Sequence, residues 1–313
     1  MLLLRVVLLA LAGFALHREL VGVNAADLLG GMRRFGWQHV ALSLLFTVAS
    51  FLTLGAFELL ALRHAGAAVA RAVPRRVALR TAYVAHAFSQ SAGVALLTGA
   101  AVRLRAYPRY GLDAVAVARV SAFVTATALL GLLATGAVAV LATSAPLRVG
   151  HAALGAGWTA AMLAAPALAY LAWSAFGGSS AVGRGRWRLR RPPPGLATVQ
   201  LALSALDWLL TATVLYFLLP PTLSASYPMF LGACLLGMTA GVVSQLPGGI
   251  GVFEATLLAL LAPAGSAAAA GALAASLVAY RIIYYVLPLC GAVAVFVFTE
   301  LRARDAASRS HAD

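Results

Sequence analysis

The chain has 313 residues, 62% of them hydrophobic and 10% charged, with a mean hydropathy of +0.93. So much apolar surface cannot be hidden in one water-soluble core, which leaves the bilayer as the solvent. The net charge of +14 comes from 23 arginines and no lysine; it sits in short loops between apolar spans, which fits membrane orientation and argues against a nucleic-acid-binding surface.

The first apolar segment, 2–16, contains Arg5 and has the length of a secretory signal, but no small-residue cleavage site precedes a soluble mature chain, so it reads as a retained first helix. Further apolar segments fall at 37–62, 81–101, 113–142, 152–176, 196–219, 228–262 and 271–298, close to the roughly 20 residues that a spanning helix needs. The loop after the second segment carries Arg63, Arg71, Arg75, Arg76 and Arg80; the one before 196 carries Arg184, Arg186, Arg188, Arg190 and Arg191. Both are predicted to be cytoplasmic.

The connection 102–112 holds Arg103, Arg105 and Arg109 and belongs on the same side, yet a single crossing would separate it from the equally basic 63–80 loop. Segment 81–101 resolves the conflict by entering and leaving on one side. Its His86, Ser89, Gln90, Ser91, Gly93, Thr98 and Gly99 suit a re-entrant hairpin that faces protein or water. Segment 228–262 poses the mirror problem, because its flanks 220–227 and 263–270 carry no charge and both read as external. Its centre runs Ser244-Gln245-Leu246-Pro247-Gly248-Gly249-Ile250-Gly251-Val252-Phe253-Glu254, where proline removes a backbone donor and three glycines make continuous helix costly. Two half-helices meeting in mid-membrane are expected; a proline kink in one crossing helix is the alternative.

These elements predict an all-α polytopic membrane protein with about six full transmembrane helices and two re-entrant or broken hairpins, eight hydrophobic segments in a single domain. The opposite entry of the hairpins predicts inverted repeats over 1–143 and 150–300, followed by a short cytoplasmic tail at 301–313. Phe88-Ser89-Gln90 then Gly93-Val94 resembles Val243-Ser244-Gln245 then Gly251-Val252, and Val117-Ala118-Arg119 resembles Ala279-Tyr280-Arg281. Paired broken segments in such a repeat point to a transport site near the midplane.

Ionisable groups inside the bilayer cost roughly 2.5 to 3.5 kcal/mol on insertion scales, so each needs a reason. Glu254 stands at the start of a half-helix whose free N–H groups favour a carboxylate or an anionic ligand; it either caps the hairpin or takes part in transport. Arg281 lies about ten residues into the last apolar segment and requires a partner, for which Asp207, Glu58, Glu254 and a lipid phosphate are the options. Arg119 stands nearer a basic loop. Tyr280, Tyr284, Tyr285 and Trp208 read either as interfacial belt residues or as the lining of a lipid path. Cys234 and Cys290 read as buried free thiols. No metal-ligand set, nucleophile with base, phosphate loop or dinucleotide fingerprint occurs at workable spacing, so neither catalysis nor a cofactor is expected.

Four motifs then become recognisable: Leu246-Pro-Gly-Gly-Ile-Gly-Val-Phe-Glu254, Tyr280-Arg-Ile-Ile-Tyr-Tyr-Val-Leu-Pro288, Leu206-Asp-Trp208, and Gly99-Ala-Ala-Val-Arg-Leu-Arg-Ala-Tyr107 followed by Tyr110-Gly-Leu112. Together they resemble the transmembrane flippase domain of the lysylphosphatidylglycerol synthetase/flippase family. The resemblance implies a bacterial inner-membrane protein that moves aminoacylated phosphatidylglycerol to the outer leaflet, lowering negative surface charge and giving resistance to cationic antimicrobial peptides. Full-length members of that family continue into a cytosolic aminoacyltransferase domain, whereas this sequence stops at Asp313, so synthase activity is not expected.

The reading is therefore a phospholipid flippase, not an enzyme, with both termini cytoplasmic. Arg281, helped by Arg119, holds the phosphate, while Glu254 and Asp207 balance charge or meet an amino group. Gln245, Gly248, Gly249, Ser89, Gln90, Arg103 and Tyr284 complete the candidate site. The rivals are a transporter of another lipid, such as a hopanoid or glycolipid intermediate, and a scaffold that recruits a separate lipid synthase through its basic loops.

Overall fold

A computed structural model describes residues 36–309 apart from 93–94, 144–146, 150–151, 179–180, 183–188, 222, 224, 245 and 263–265. The expected first helix at 2–16, together with Gln245, Arg184, Arg186 and Arg188, lies outside the described residues. The rest is helical apart from two short antiparallel ribbons, Leu147–Val149 with Ala152–Leu154 and Ala181–Val182 with Leu189–Arg190. The helices are α1 (Trp37–Ala65), α2 (Ala67–Ala72), α3 (Arg75–Ala92), α4 (Ala95–Ala106), α5 (Ala114–Thr143), α6 (Ala156–Phe176), α7 (Pro194–Tyr216), α8 (Tyr227–Ser244), α9 (Val252–Leu261), α10 (Ala267–Arg281) and α11 (Leu287–Arg309). A π-helical turn, Ile282–Val286, joins the last two.

Six of the described helices are long and apolar enough to cross a bilayer: α1, α5, α6, α7, α8 and the run Ala267–Arg302. The protein is an all-α polytopic membrane protein. Its packing follows membrane rather than aqueous rules, because lipid tails are as apolar as leucine and helices associate through small residues, close fit and hydrogen bonds. In α1, Ser43, Thr47, Ser50, Leu54, Phe57, Glu58 and Ala61 are buried at helical spacing, while Leu45, Val48 and Leu52 face outward. The polar stripe is the inside of the protein.

Both expected breaks are present. Segment 81–101 divides into α3 and α4, which pack antiparallel with Gly99 against Ser89; a Cβ at Gly99 would lie 2.9 Å from Ser89 Oγ. Segment 228–262 divides into α8 and α9, also antiparallel, with Gly237 against Phe253 and Gly241 against Gly249. A kinked single helix is thereby ruled out for the second segment. Its arms are unequal, 18 residues in α8 and 10 in α9, so α8 alone extends about 27 Å. The two hairpins meet, since α3 packs on the Pro247–Gly249 turn.

Arginines from both ends of the first hairpin gather with the end of the last helix. Arg80, Arg105, Arg109 and Glu300 line one small cavity, and Arg105 Nη2 reaches Glu300 Oε2 at 2.7 Å. His64, at the end of α1, contacts the Arg190 carbonyl at 3.0 Å, which brings the second basic loop to the end of α1. The chain at 301–309 continues α11 as helix, with Arg302 stacked over Phe298 at 4.4 Å.

Two expectations need correction. Cys290 is exposed on the outside of α11, whereas Cys234 is buried, because position 290 falls off the face that Leu289, Ala292 and Phe296 press against α3. Tyr280 and Tyr284 are buried core residues and not belt residues, whereas Trp37 and Trp158 near helix starts are exposed.

Candidate functional site

The site begins with backbone that only glycine adopts easily. Pro247–Gly249 forms a tight turn in which Gly248 and Gly249 have φ of 63° and 61°, and Gly251 follows at 86°. These are left-handed conformations in which a Cβ meets the neighbouring carbonyl. At Gly249 space is also lacking, since a Cβ would lie 3.0 Å from the Gly241 Cα. The glycines thus reverse the chain and let the two arms touch.

Reversal places Glu254 in the first turn of α9, where Oε2 accepts the Gly251 N–H at 2.8 Å. Its other oxygen faces Arg281. Glu254 Oε1 accepts from Arg281 Nε at 2.7 Å and lies 2.6 Å from Nη2, while Nη1 donates to the Gly248 carbonyl at 2.9 Å. The guanidinium therefore bridges the cap of one half-helix and the turn itself, and it lies 5.0 Å from the Tyr285 ring centre in a cation–π contact. Glu254 proves to be both a cap and an ion-pair partner. Its side chain is 25% exposed against 9% for Arg281, so one edge of the pair is open.

Immediately beyond Arg281 the helix widens into the π turn, a feature common at functional sites. Tyr284 within it stacks on Tyr280, centroids 5.5 Å apart and planes at 7°. Its hydroxyl bonds to Ser50 at 2.8 Å and to Thr211 at 2.7 Å, and Ser50 Oγ donates to Asp207 Oδ1 at 2.6 Å. Asp207 is thus connected to the Arg281 region through hydroxyls, with no direct contact to the guanidinium.

A second carboxylate–arginine pair joins α4 of the first hairpin to α1. Glu58 accepts from Arg103 through Nε at 2.9 and 3.0 Å and through Nη2 at 2.6 Å, and from the Tyr107 hydroxyl at 2.6 Å. Glu58 and Arg103 are 0% and 4% exposed. Ser89 faces Gly99 near Arg103, and Gln90 is half-buried toward the end of α3. Arg119 lies elsewhere again, lining a cavity of about 210 Å³ with His64, Tyr170, Trp173, Arg190 and Gln200. Of the predicted site residues, the structure gathers Arg281, Glu254, Gly248 and Gly249, sets Tyr284 and Asp207 beside them, and separates Arg103, Ser89 and Arg119.

Over 275 residues, 82% of each chain, the sequence is 31% identical to the protein slr0712 of Synechocystis sp.. The chain belongs to the slr0712 family. It is also 28% identical over 276 residues to inner membrane protein YbhN of Escherichia coli, covering 85% of this chain and 81% of that one. A shorter stretch of 87 residues, 28% of this chain and 10% of the other, is 37% identical to phosphatidylglycerol lysyltransferase of Staphylococcus epidermidis. No family model matches. This member of the slr0712 family is a multi-pass membrane protein, and among its described residues no cluster of His, Cys, Asp or Glu is arranged to hold a metal ion.

Sequence reasoning missed Ser50, Thr211, Tyr107 and the π turn. A signal for Ser50 exists, since Ser43, Thr47 and Ser50 repeat at helical spacing in an otherwise apolar span, the pattern of a helix that buries its hydroxyls. Tyr107 carries no such signal, because its partner Glu58 lies 49 positions away.

Proposed function

We propose that the protein is a flippase that moves an anionic phospholipid between the leaflets of the bacterial inner membrane. The observation that carries this is the partly open Arg281–Glu254 pair, held at the tip of a broken hairpin by the Gly248 carbonyl. A guanidinium fork accepts phosphate oxygens as readily as a carboxylate. A lipid phosphate would take Arg281 from Glu254, leaving Glu254 bonded to the Gly251 N–H and able to meet an amino group on the headgroup. Because Glu254 retains its cap, the exchange does not require the hairpin to unfold.

The cargo we favour is phosphatidylglycerol carrying an aminoacyl group, or a related phospholipid. The Staphylococcus epidermidis relative is named for phosphatidylglycerol, and such a headgroup offers a phosphate to Arg281 and an ammonium to Glu254. The basic end of the molecule, with Arg80, Arg105 and Arg109, faces the cytoplasm in this reading, together with the end of α11. The first hairpin then enters from the cytoplasm and the second from outside, as inverted repeats over 1–143 and 150–300. No chemical step on the lipid is invoked.

The test uses purified protein in vesicles containing a headgroup-labelled fluorescent phosphatidylglycerol and a membrane-impermeant quencher. Wild-type protein should make inner-leaflet label accessible, and Arg281→Ala should slow this at least about tenfold, the loss of about 1.4 kcal/mol of binding in the rate-limiting state. Wild-type vesicles as slow as protein-free ones would overturn the flippase reading in favour of a scaffold. Equal rates in wild type and Arg281→Ala would remove Arg281 from the mechanism.

A further inference from the structure

We infer that Asp207 is a proton-binding site whose proton is signalled to the π turn through Ser50 and Tyr284, and that proton uptake and release there couples lipid passage to a pH gradient. The coupling half of this inference rests on the flippase reading; the proton site does not.

Among the described residues, the other buried or half-buried carboxylates have a cation: Glu58 has Arg103, Glu254 has Arg281 and Glu300 has Arg105. Asp113 is exposed and caps the start of α5. Asp207 differs. It is the fourteenth residue of the 23-residue α7, so it stands about 20 Å from the start of that helix, and it is 6% exposed. Its carboxyl accepts a hydrogen bond from one hydroxyl, that of Ser50. A carboxyl at this depth with no cation among the described residues is a functional group by default, and carboxyls occur in membrane interiors both charged and neutral.

The elements packed around α7 show what Asp207 faces. Ser50 comes from α1, Tyr284 from the π turn and Thr211 from the next turn of α7 itself. The arginines on neighbouring elements are engaged elsewhere: Arg281 with Glu254, and Arg103, reached through α1, with Glu58. Arg119 on α5 lines the separate cavity with His64 and Tyr170. On α8 and α10 the titratable groups are Tyr227, bonded to Thr213, buried Cys234, and Tyr280, stacked on Tyr284.

The three hydroxyls touch one another, with Ser50 and Thr211 the longest pair at 3.4 Å; each carries one proton, and the direction of the series of shorter bonds follows the carboxyl. With Asp207 ionised, Ser50 donates to Oδ1, Tyr284 donates to Ser50, and Thr211 donates to Tyr284. A proton taken up from water on Oδ1 turns the carboxyl into a donor, and each bond in the series reverses. No bond other than O–H forms or breaks, and release of that proton to water restores the first arrangement. Tyr284 feels the reversal three residues after Arg281, inside the π turn and stacked on Tyr280. The charge at Asp207 thereby reaches the segment that aims the guanidinium, with no contact between the two.

Two measurements on the full chain test this. Infrared difference spectroscopy of the purified protein as a function of pH should show a carboxylic-acid carbonyl band that Asp207→Asn removes and Tyr284→Phe shifts, with all three proteins monodisperse and melting cooperatively. No titrating band that depends on position 207 would overturn the proton site. In vesicles with labelled phosphatidylglycerol, a gradient of about one pH unit supplies about 1.4 kcal/mol per proton and should change the wild-type rate by up to about tenfold. In Asp207→Asn the ratio of rates with and without the gradient should fall to one, whatever its basal rate. A wild-type rate indifferent to the gradient, or a response retained in Asp207→Asn, would overturn the coupling. Lipid that never moves in wild-type vesicles while the band at position 207 titrates would sink the flippase reading and uphold the proton site.

Discussion

Each hairpin supplies one member of a carboxylate–arginine pair, Arg103 to Glu58 of α1 and Glu254 to Arg281 of α10, and the two pairs differ in what they hold. Glu58 and Arg103 are closed from every side, three nitrogen contacts and a tyrosine hydroxyl saturating one carboxylate. Glu254 and Arg281 use a similar ion pair but divide its contacts, one carboxylate oxygen going to a helix cap and one guanidinium nitrogen to a loop carbonyl. The first arrangement fastens α4 to α1. The second ties the start of α9 to the Gly248 carbonyl of the turn, and its Glu254 side is 25% exposed. A buried ion pair is weak evidence of function by itself; the contrast lies in what each pair holds and what can reach it.

The largest effect that would sharpen this contrast is expected at the closed pair. Glu58→Ala leaves Arg103 buried without a counter-charge and should lower stability by about 3–5 kcal/mol, measured by unfolding of the detergent-solubilised protein or seen as loss of inserted protein. Gly249→Ala comes next, because a left-handed φ is compounded by the close approach to Gly241; about 1–3 kcal/mol is expected, read from the same transition. Gly251→Ala shares the positive φ but has nothing within 4 Å of its Cβ, so only the conformational cost of about 1–2 kcal/mol remains. Arg281→Lys should be the mildest in stability, within about 1 kcal/mol, since an ammonium still meets Glu254. On the flippase proposal it should nevertheless slow lipid movement as Arg281→Ala does, since it cannot hold Glu254 and the Gly248 carbonyl together. If Glu58→Ala unfolded no more easily than Arg281→Lys, the division into a fastening pair and an exchangeable one would collapse.

The hairpins were legible in the sequence because they rest on local signals. Pro247 and the three glycines break a helix wherever they stand, and Arg80 and Arg103 on either side of 81–101 demand a return to one side. Membrane class was equally plain, since apolar length is counted residue by residue. Pair assignment was not. Arg281 had three acidic partners open to it, and the choice of Glu254 depends on how α10 passes the turn, a relation between elements rather than a property of either. Arg103 shows the reverse case: expected in the same site as Arg281, it is taken up by Glu58, 45 positions away. The role of Ser50 was hidden for the same reason. Its spacing announces burial, but not which of the buried groups it will meet. The extent of α11 beyond 298 was hidden because hydropathy marks where lipid ends, and helix need not end there.

The π turn at Ile282–Val286 has a consequence for the last helix as a whole. A π turn carries one residue more than the α-helical turn it replaces, and one residue is worth about 100° of rotation. Deleting one position within 282–286 would close the turn and leave the flanking faces in place, whereas winding all five residues as ordinary α-helix would turn everything after them by that angle. Leu289, Ala292 and Phe296 would swing away from α3, and Glu300 from Arg105. The extra residue therefore acts as the indexing step of the molecule, setting which side of a 23-residue helix meets the first hairpin.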